Sequence, residues 1–147
     1  MKNTPCKVIG LLALAFLAAT QAARAQEPLL VNIPFSFTAG KMTLPAGEYQ
    51  IQKPSDRSLA LLIQRTDRKA AMFVTTFAVA ANGPQTQSKV VFHRYGSRYF
   101  LSRIWVAGYS QGKELPKSAE EKEQALAAHN QPPEQITILA RLTPTQP

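Results

Sequence analysis

Two runs rich in β-branched and aromatic residues, 89–95 and 98–106, are separated by Gly96-Ser97 alone. Glycine at the first central position is what a type II′ two-residue hairpin requires, because a side chain there would meet the backbone at φ > 0. The turn fixes the register: Tyr95 faces Arg98, Arg94 faces Tyr99, His93 faces Phe100 and Phe92 faces Leu101. One face then carries Phe92, Arg94, Tyr99, Leu101, Arg103 and Trp105, and the other Val91, His93, Tyr95, Arg98, Phe100 and Ile104.

The rest of the chain has the same grain. Val31, Ile33, Phe35 and Phe37 alternate with Asn32, Pro34 and Ser36 as in a strand, and Pro34, which has no N–H to give a ladder, marks an edge or a bulge. Pro45 and Gly47 turn the chain into a strand over 48–53. Strands over 58–65 and 70–79 flank the polar turn 66–69, with Phe73, Phe77 and Val79 on one face and Met72 and Val74 on the other. Asn82-Gly83-Pro84 ends that run. Ser118 and Glu121 have capping-box spacing, which predicts a helix over 118–129, on the surface because its apolar stripe is thin. A final strand spans 135–143. Seven strands joined by short turns, with one surface α-helix near the C-terminus, predict an all-β fold, an antiparallel meander closed as a small barrel or sandwich.

The first residues point to export. Lys2 and Lys7 precede an apolar run of about a dozen residues, too short to span a bilayer, and Ala23-Arg24-Ala25 is an A-x-A cleavage site. Residues 1–25 read as a signal peptide and 26–147 as a single β-rich domain, placed in the periplasm or outside the cell. Cys6, the one cysteine, lies in the signal, so the mature domain has neither a disulfide nor a thiolate. No transmembrane segment is expected in the mature chain, and an outer-membrane barrel is disfavoured for want of a lipid-facing apolar band.

Without Lys2, Lys7 and Arg24 the charge falls from +8 to +5. Eleven Lys and Arg lie between Lys41 and Lys113 against Glu48, Asp56 and Asp67, while Glu114, Glu120, Glu121 and Glu123 follow at once. A basic body of this kind favours anionic envelope polysaccharide, lipid headgroups or an envelope protein over nucleic acid, which an exported protein seldom meets.

Three blocks stand out together: Val31-Asn32-Ile33-Pro34-Phe35-Ser36-Phe37, Leu44-Pro45-Ala46-Gly47-Glu48-Tyr49, and Phe92-His93-Arg94-Tyr95-Gly96-Ser97-Arg98-Tyr99-Phe100-Leu101. With Ile104-Trp105 and the stretch Gly112 to Ser118, the chain resembles a family of small exported proteins of unknown function common in acidobacteria. The resemblance implies class and location, and no chemistry.

The residue inventory argues against catalysis and against cofactors. Two histidines without cysteine leave little from which to build a zinc site, and no P-loop, G-x-G-x-x-G, G-x-S-x-G or H-E-x-x-H is present. A Ser-His-Asp arrangement would have to draw on His93 or His129 with Asp56 or Asp67, and nothing in the spacing selects a set. Glu120, Glu121 and Glu123 read as solvated helix positions. The expected activity is therefore non-enzymatic: an extracytoplasmic β-domain that binds or scaffolds an envelope component through Arg94, Arg98, Tyr99, Arg103 and Trp105. Guanidinium groups there would grip anions while the aromatic rings stack on sugar faces. The alternatives are a lipocalin-type barrel carrying a small apolar ligand, and a hydrolase with an unadvertised site.

Overall fold

The computed structural model describes residues 27–143, so the signal peptide and the tail beyond Thr143 lie outside the described residues. Strands β1 (Leu29–Ile33), β2 (Phe37–Ala39), β3 (Met42–Leu44), β4 (Gly47–Gln52), β5 (Ala60–Arg65), β6 (Ala71–Thr75), β7 (Phe77–Ala80), β8 (Lys89–Tyr95), β9 (Arg98–Trp105) and β10 (Gln111–Glu114) precede helix α1 (Ala119–Ala127) and strand β11 (Glu134–Leu142). The fold is all-β with one short helix near the C-terminus, and its sheet forms a nearly closed barrel.

The ladder runs from β1 through β4 and β5 to β6, and from β7 through β10, β9, β8 and β11 back to β1. Only Thr76, between β6 and β7, carries the circuit by covalent connection. Its N–H and hydroxyl both bond the Leu59 carbonyl, each at 2.9 Å, and the strand expected over 70–79 divides here into two. β6 then serves β5 while β7 serves β10. The β2–β3 hairpin, turning at Gly40 with φ +59°, adds to the other stretch of β9 through the parallel bridge Thr38 to Phe100.

Several strand expectations change in this frame. The run 31–37 divides at Pro34, and β1 is paired on both sides, so proline ends an interior strand rather than marking an edge. Strand β10, not foreseen, closes the barrel between β7 and β9. β11 inserts between β8 and β1, which departs from a simple meander.

Inward residues alternate along β1, β4 and β5. Leu29, Val31 and Ile33 of β1 pack with Tyr49 and Ile51 of β4, Leu61 and Ile63 of β5, Val90 and Phe92 of β8, and Leu101 and Ile104 of β9. Each large apolar side chain buried in this way contributes about 1.5–3 kcal/mol. One end of the barrel is filled by rings. Phe37 meets Tyr49 and Phe92 edge-on at 5.2 and 5.5 Å, and Phe35 stacks on Tyr99 at 3.8 Å. The outer face of β6 and β7 is open instead: Phe73, 64% exposed, and Phe77 are not covered as the two-sided pattern suggested.

Candidate functional site

The β8–β9 hairpin forms in the expected register as far as Leu101. Phe92, His93, Arg94 and Tyr95 pair with Leu101, Phe100, Tyr99 and Arg98, and Gly96 takes φ +59°. Val91 then pairs with Arg103, so Ser102 is the extra residue of a β-bulge. A bulge places one additional residue on its strand and reverses the in–out parity beyond it. Ile104 therefore joins Phe92 and Leu101 in the interior, and Arg103 and Trp105 move to the face of Val91 and His93. The expected faces hold before Ser102 and exchange after it.

This redistributes the five residues expected to form a binding surface. Arg94 and Tyr99 stay together, the guanidinium 5.5 Å from the ring centre, but Tyr99 is half-buried under Phe35. Arg98 and Arg103 lie on the opposite face, and Trp105 is buried there against β10. Each arginine meets a carboxylate: Arg94 with Glu134 at 3.5 Å, Arg98 with Glu120 at 2.7 Å and Arg103 with Glu114 at 2.8 Å. The acids that follow the basic body in sequence fold back onto its arginines.

Helix α1 lies over the outward face of the hairpin, and its attachment is polar. Ser118 caps it, the hydroxyl accepting from the Glu121 N–H at 3.1 Å. The Glu121 side chain, expected in solvent, is 4% exposed. Its Oε1 stands 2.7 Å from Nδ1 of His93 and accepts from the Tyr95 hydroxyl at 3.4 Å, while Nε2 of His93 lies 3.2 Å from Oγ of Ser102. A neutral imidazole donating from Nδ1 to the carboxylate leaves Nε2 to accept the serine proton. Burial, reinforced by the charge of Glu121 and the bond to it, raises the pKa of Tyr95 above the ordinary tyrosine value. The order Ser102, His93, Glu121 is that of a nucleophile, a base and an orienting acid. Ser102 is only 5% exposed, however, so a reacting carbonyl has no approach to its hydroxyl in this conformation.

The relay escaped sequence reasoning on two counts. Its serine is selected by the bulge, whose trace in the sequence is that Leu101 and Ile104, both interior, are three residues apart instead of two. Its acid belongs to a capping box, which locates Glu121 on the helix and does not reveal what the side chain reaches. Among the described residues no three His, Cys, Asp or Glu groups gather as a metal site.

A concave feature lies at the end of the barrel opposite the aromatic fill. A cavity of about 320 Å³ opens there, with the buried side chains Leu29, Ile51, Leu61 and Ile104 among its lining. Its polar lining includes Lys53, Tyr109 and Lys113. Lys53 is occupied, its Nζ donating to the carbonyl of Asp56 at 2.5 Å. Gly112 allows this wall to form, because a Cβ there would stand 2.6 Å from Cε3 of Trp105 and 2.9 Å from the Ile104 carbonyl. No helix among the described residues is long and apolar enough to cross a membrane. No family model, curated protein or solved structure matches this chain.

Proposed function

We propose that this protein is a non-enzymatic extracytoplasmic binding domain that receives a small, mainly apolar molecule of the cell envelope in the open end of its barrel. The observation that carries the reading is the asymmetry of the interior. Aromatic rings fill one end, whereas the other leaves about 320 Å³ above an apolar floor of Leu29, Ile51, Leu61 and Ile104. Mouths of β-barrels are common ligand sites, and cavities of roughly 300–1,000 Å³ suit small molecules. Export rests on the signal-peptide pattern of residues 1–25, and the envelope as the ligand's source rests on export.

Binding an anionic polymer through the hairpin has less support. Arg94, Arg98 and Arg103 are matched by Glu134, Glu120 and Glu114, so their charge is largely spent within the domain. A hydrolytic reading has the 2.7 and 3.2 Å spacings of His93 in its favour and the burial of Ser102 against it.

The test is titration of the protein with a polarity-sensitive naphthalene dye, followed by displacement with short-chain amphiphiles. Leu61→Phe, which adds volume to the cavity floor, is expected to abolish dye binding while the protein stays folded by circular dichroism. Saturable binding unaffected by Leu61→Phe would place the ligand elsewhere and overturn the proposal.

A further inference from the structure

We infer that the molecule held in the barrel mouth is an anionic amphiphile, and that Lys113 receives its negatively charged head. The inference rests on the proposed ligand cavity and adds the chemical class of its occupant.

Strand register determines which way Lys113 points. Residues directly opposite in an antiparallel ladder share a face. Lys113 pairs with Ile104 on one side and Ala78 on the other, and Ile104 is an interior residue that also pairs with Val90 of the core. The lysine is therefore on the inward face of β10, where it lines the cavity. Its neighbour Glu114 takes the outward face and binds Arg103. Among the described residues the Lys113 side chain makes no ion pair or hydrogen bond, although five arginines pair with carboxylates. Lys113 is half-buried at the mouth, and an anion seated there gives it a charge-assisted hydrogen bond in place of water.

The cavity volume sets the size of the ligand. A cavity of about 150 Å³ accepts benzene, so about 320 Å³ accommodates a ligand of roughly a dozen non-hydrogen atoms. Lys53 lines the same mouth with its Nζ held by the Asp56 carbonyl, which leaves Lys113 as the cation placed to meet a carboxylate on a short alkyl chain.

Decanoate, with decanol as its neutral counterpart, provides the test. Both are titrated by calorimetry into the wild-type protein and into Lys113→Met, which keeps the unbranched apolar stem and removes the charge. In the wild type, decanoate should bind roughly tenfold or more tightly than decanol, since a charge-assisted bond carries the difference. Lys113→Met should erase that preference while leaving decanol affinity unchanged, which also reports that the cavity is intact. Equal binding of the two by the wild type, or a preference that survives Lys113→Met, overturns the inference and leaves the cavity reading standing. Binding of neither overturns both.

Discussion

Nδ1 of His93 and Oε1 of Glu121, contributed by the hairpin and by helix α1, stand 2.7 Å apart across a gap of 28 residues in the chain. This contact joins the helix to the barrel. The helix has a thin apolar stripe, and Leu126, its one large apolar residue, is 67% exposed, so α1 is not held by a greasy face. Removing the carboxylate strands both the imidazole and the Tyr95 hydroxyl in a buried setting. Glu121→Ala is expected to cost about 2–4 kcal/mol in urea unfolding, with loss of helical signal first. Glu121→Gln, which still offers an acceptor, should cost about 1 kcal/mol or less. Equal losses for the two variants would show that the bond network does not anchor the helix.

Two tyrosines make stability depend on alkaline pH. Tyr49 is raised by burial, with Arg65 acting in the opposite direction and Asp67 adding to the rise, and its hydroxyl donates to the Pro45 carbonyl at 2.5 Å. Tyr95 is raised by burial and then by Glu121. A group whose pKa is higher folded than unfolded binds its proton more tightly in the native state. Its contribution is complete below the unfolded value of about 10 and is lost as pH rises through the folded value. Unfolding midpoints should accordingly fall above about pH 10, and Tyr95→Phe should make the decline shallower. A decline of the same slope in Tyr95→Phe would remove Tyr95 from the account.

The hairpin arginines are expected to act as braces. Replacing Arg94, Arg98 and Arg103 together with Gln breaks three ion pairs, and exposed pairs contribute less than about 1 kcal/mol each. The variant should melt a few degrees lower and keep whatever retention the wild type has on an anionic polysaccharide matrix. Unchanged melting with retention lost would restore the hairpin as a binding surface.

Gly112 tests how closely β10 must approach β9. Gly112→Ala places a Cβ against the Trp105 ring and the Ile104 carbonyl, and the latter, being backbone, has little freedom to retreat. A loss of about 1–3 kcal/mol is expected, with a shift in the fluorescence of Trp105, the one tryptophan. Wild-type stability would mean that the ring rotates away freely.

What the sequence discloses follows the range of the interactions. The Gly96-Ser97 turn, the pairing of Phe92 through Tyr95 with Leu101 through Arg98, and the Ser118 cap are local, and each is legible from a few adjacent residues. The place of β11 between β8 and β1 depends on contacts distant in sequence, which periodicity does not encode. The bulge at Ser102 links these scales. One inserted residue exchanges the faces of Arg103, Ile104 and Trp105, so an alternation read straight through it misplaces all three. The cavity exists only once the sheet closes, and the inward aim of Lys113 follows from its pairing with Ile104 beyond that same bulge.

Ser102 decides between a catalytic relay and a structural one. The spacings, 3.2 Å to His93 and 2.7 Å from His93 to Glu121, are short enough for proton transfer. A hydrolase also needs room for an acyl group beside the serine and donors for the resulting oxyanion. Ser102 sits in the bulge with its carbonyl bonded to the Leu115 N–H at 2.8 Å and its side chain buried. A fluorophosphonate probe should therefore leave the folded protein unlabelled. Ser102→Ala should lose about 1 kcal/mol, the contribution of one hydroxyl bond, and leave decanoate affinity as it is in the wild type. Labelling mapped to Ser102 and abolished by His93→Gln would reverse the assignment, because a serine activated through that imidazole is a nucleophile whatever its average exposure.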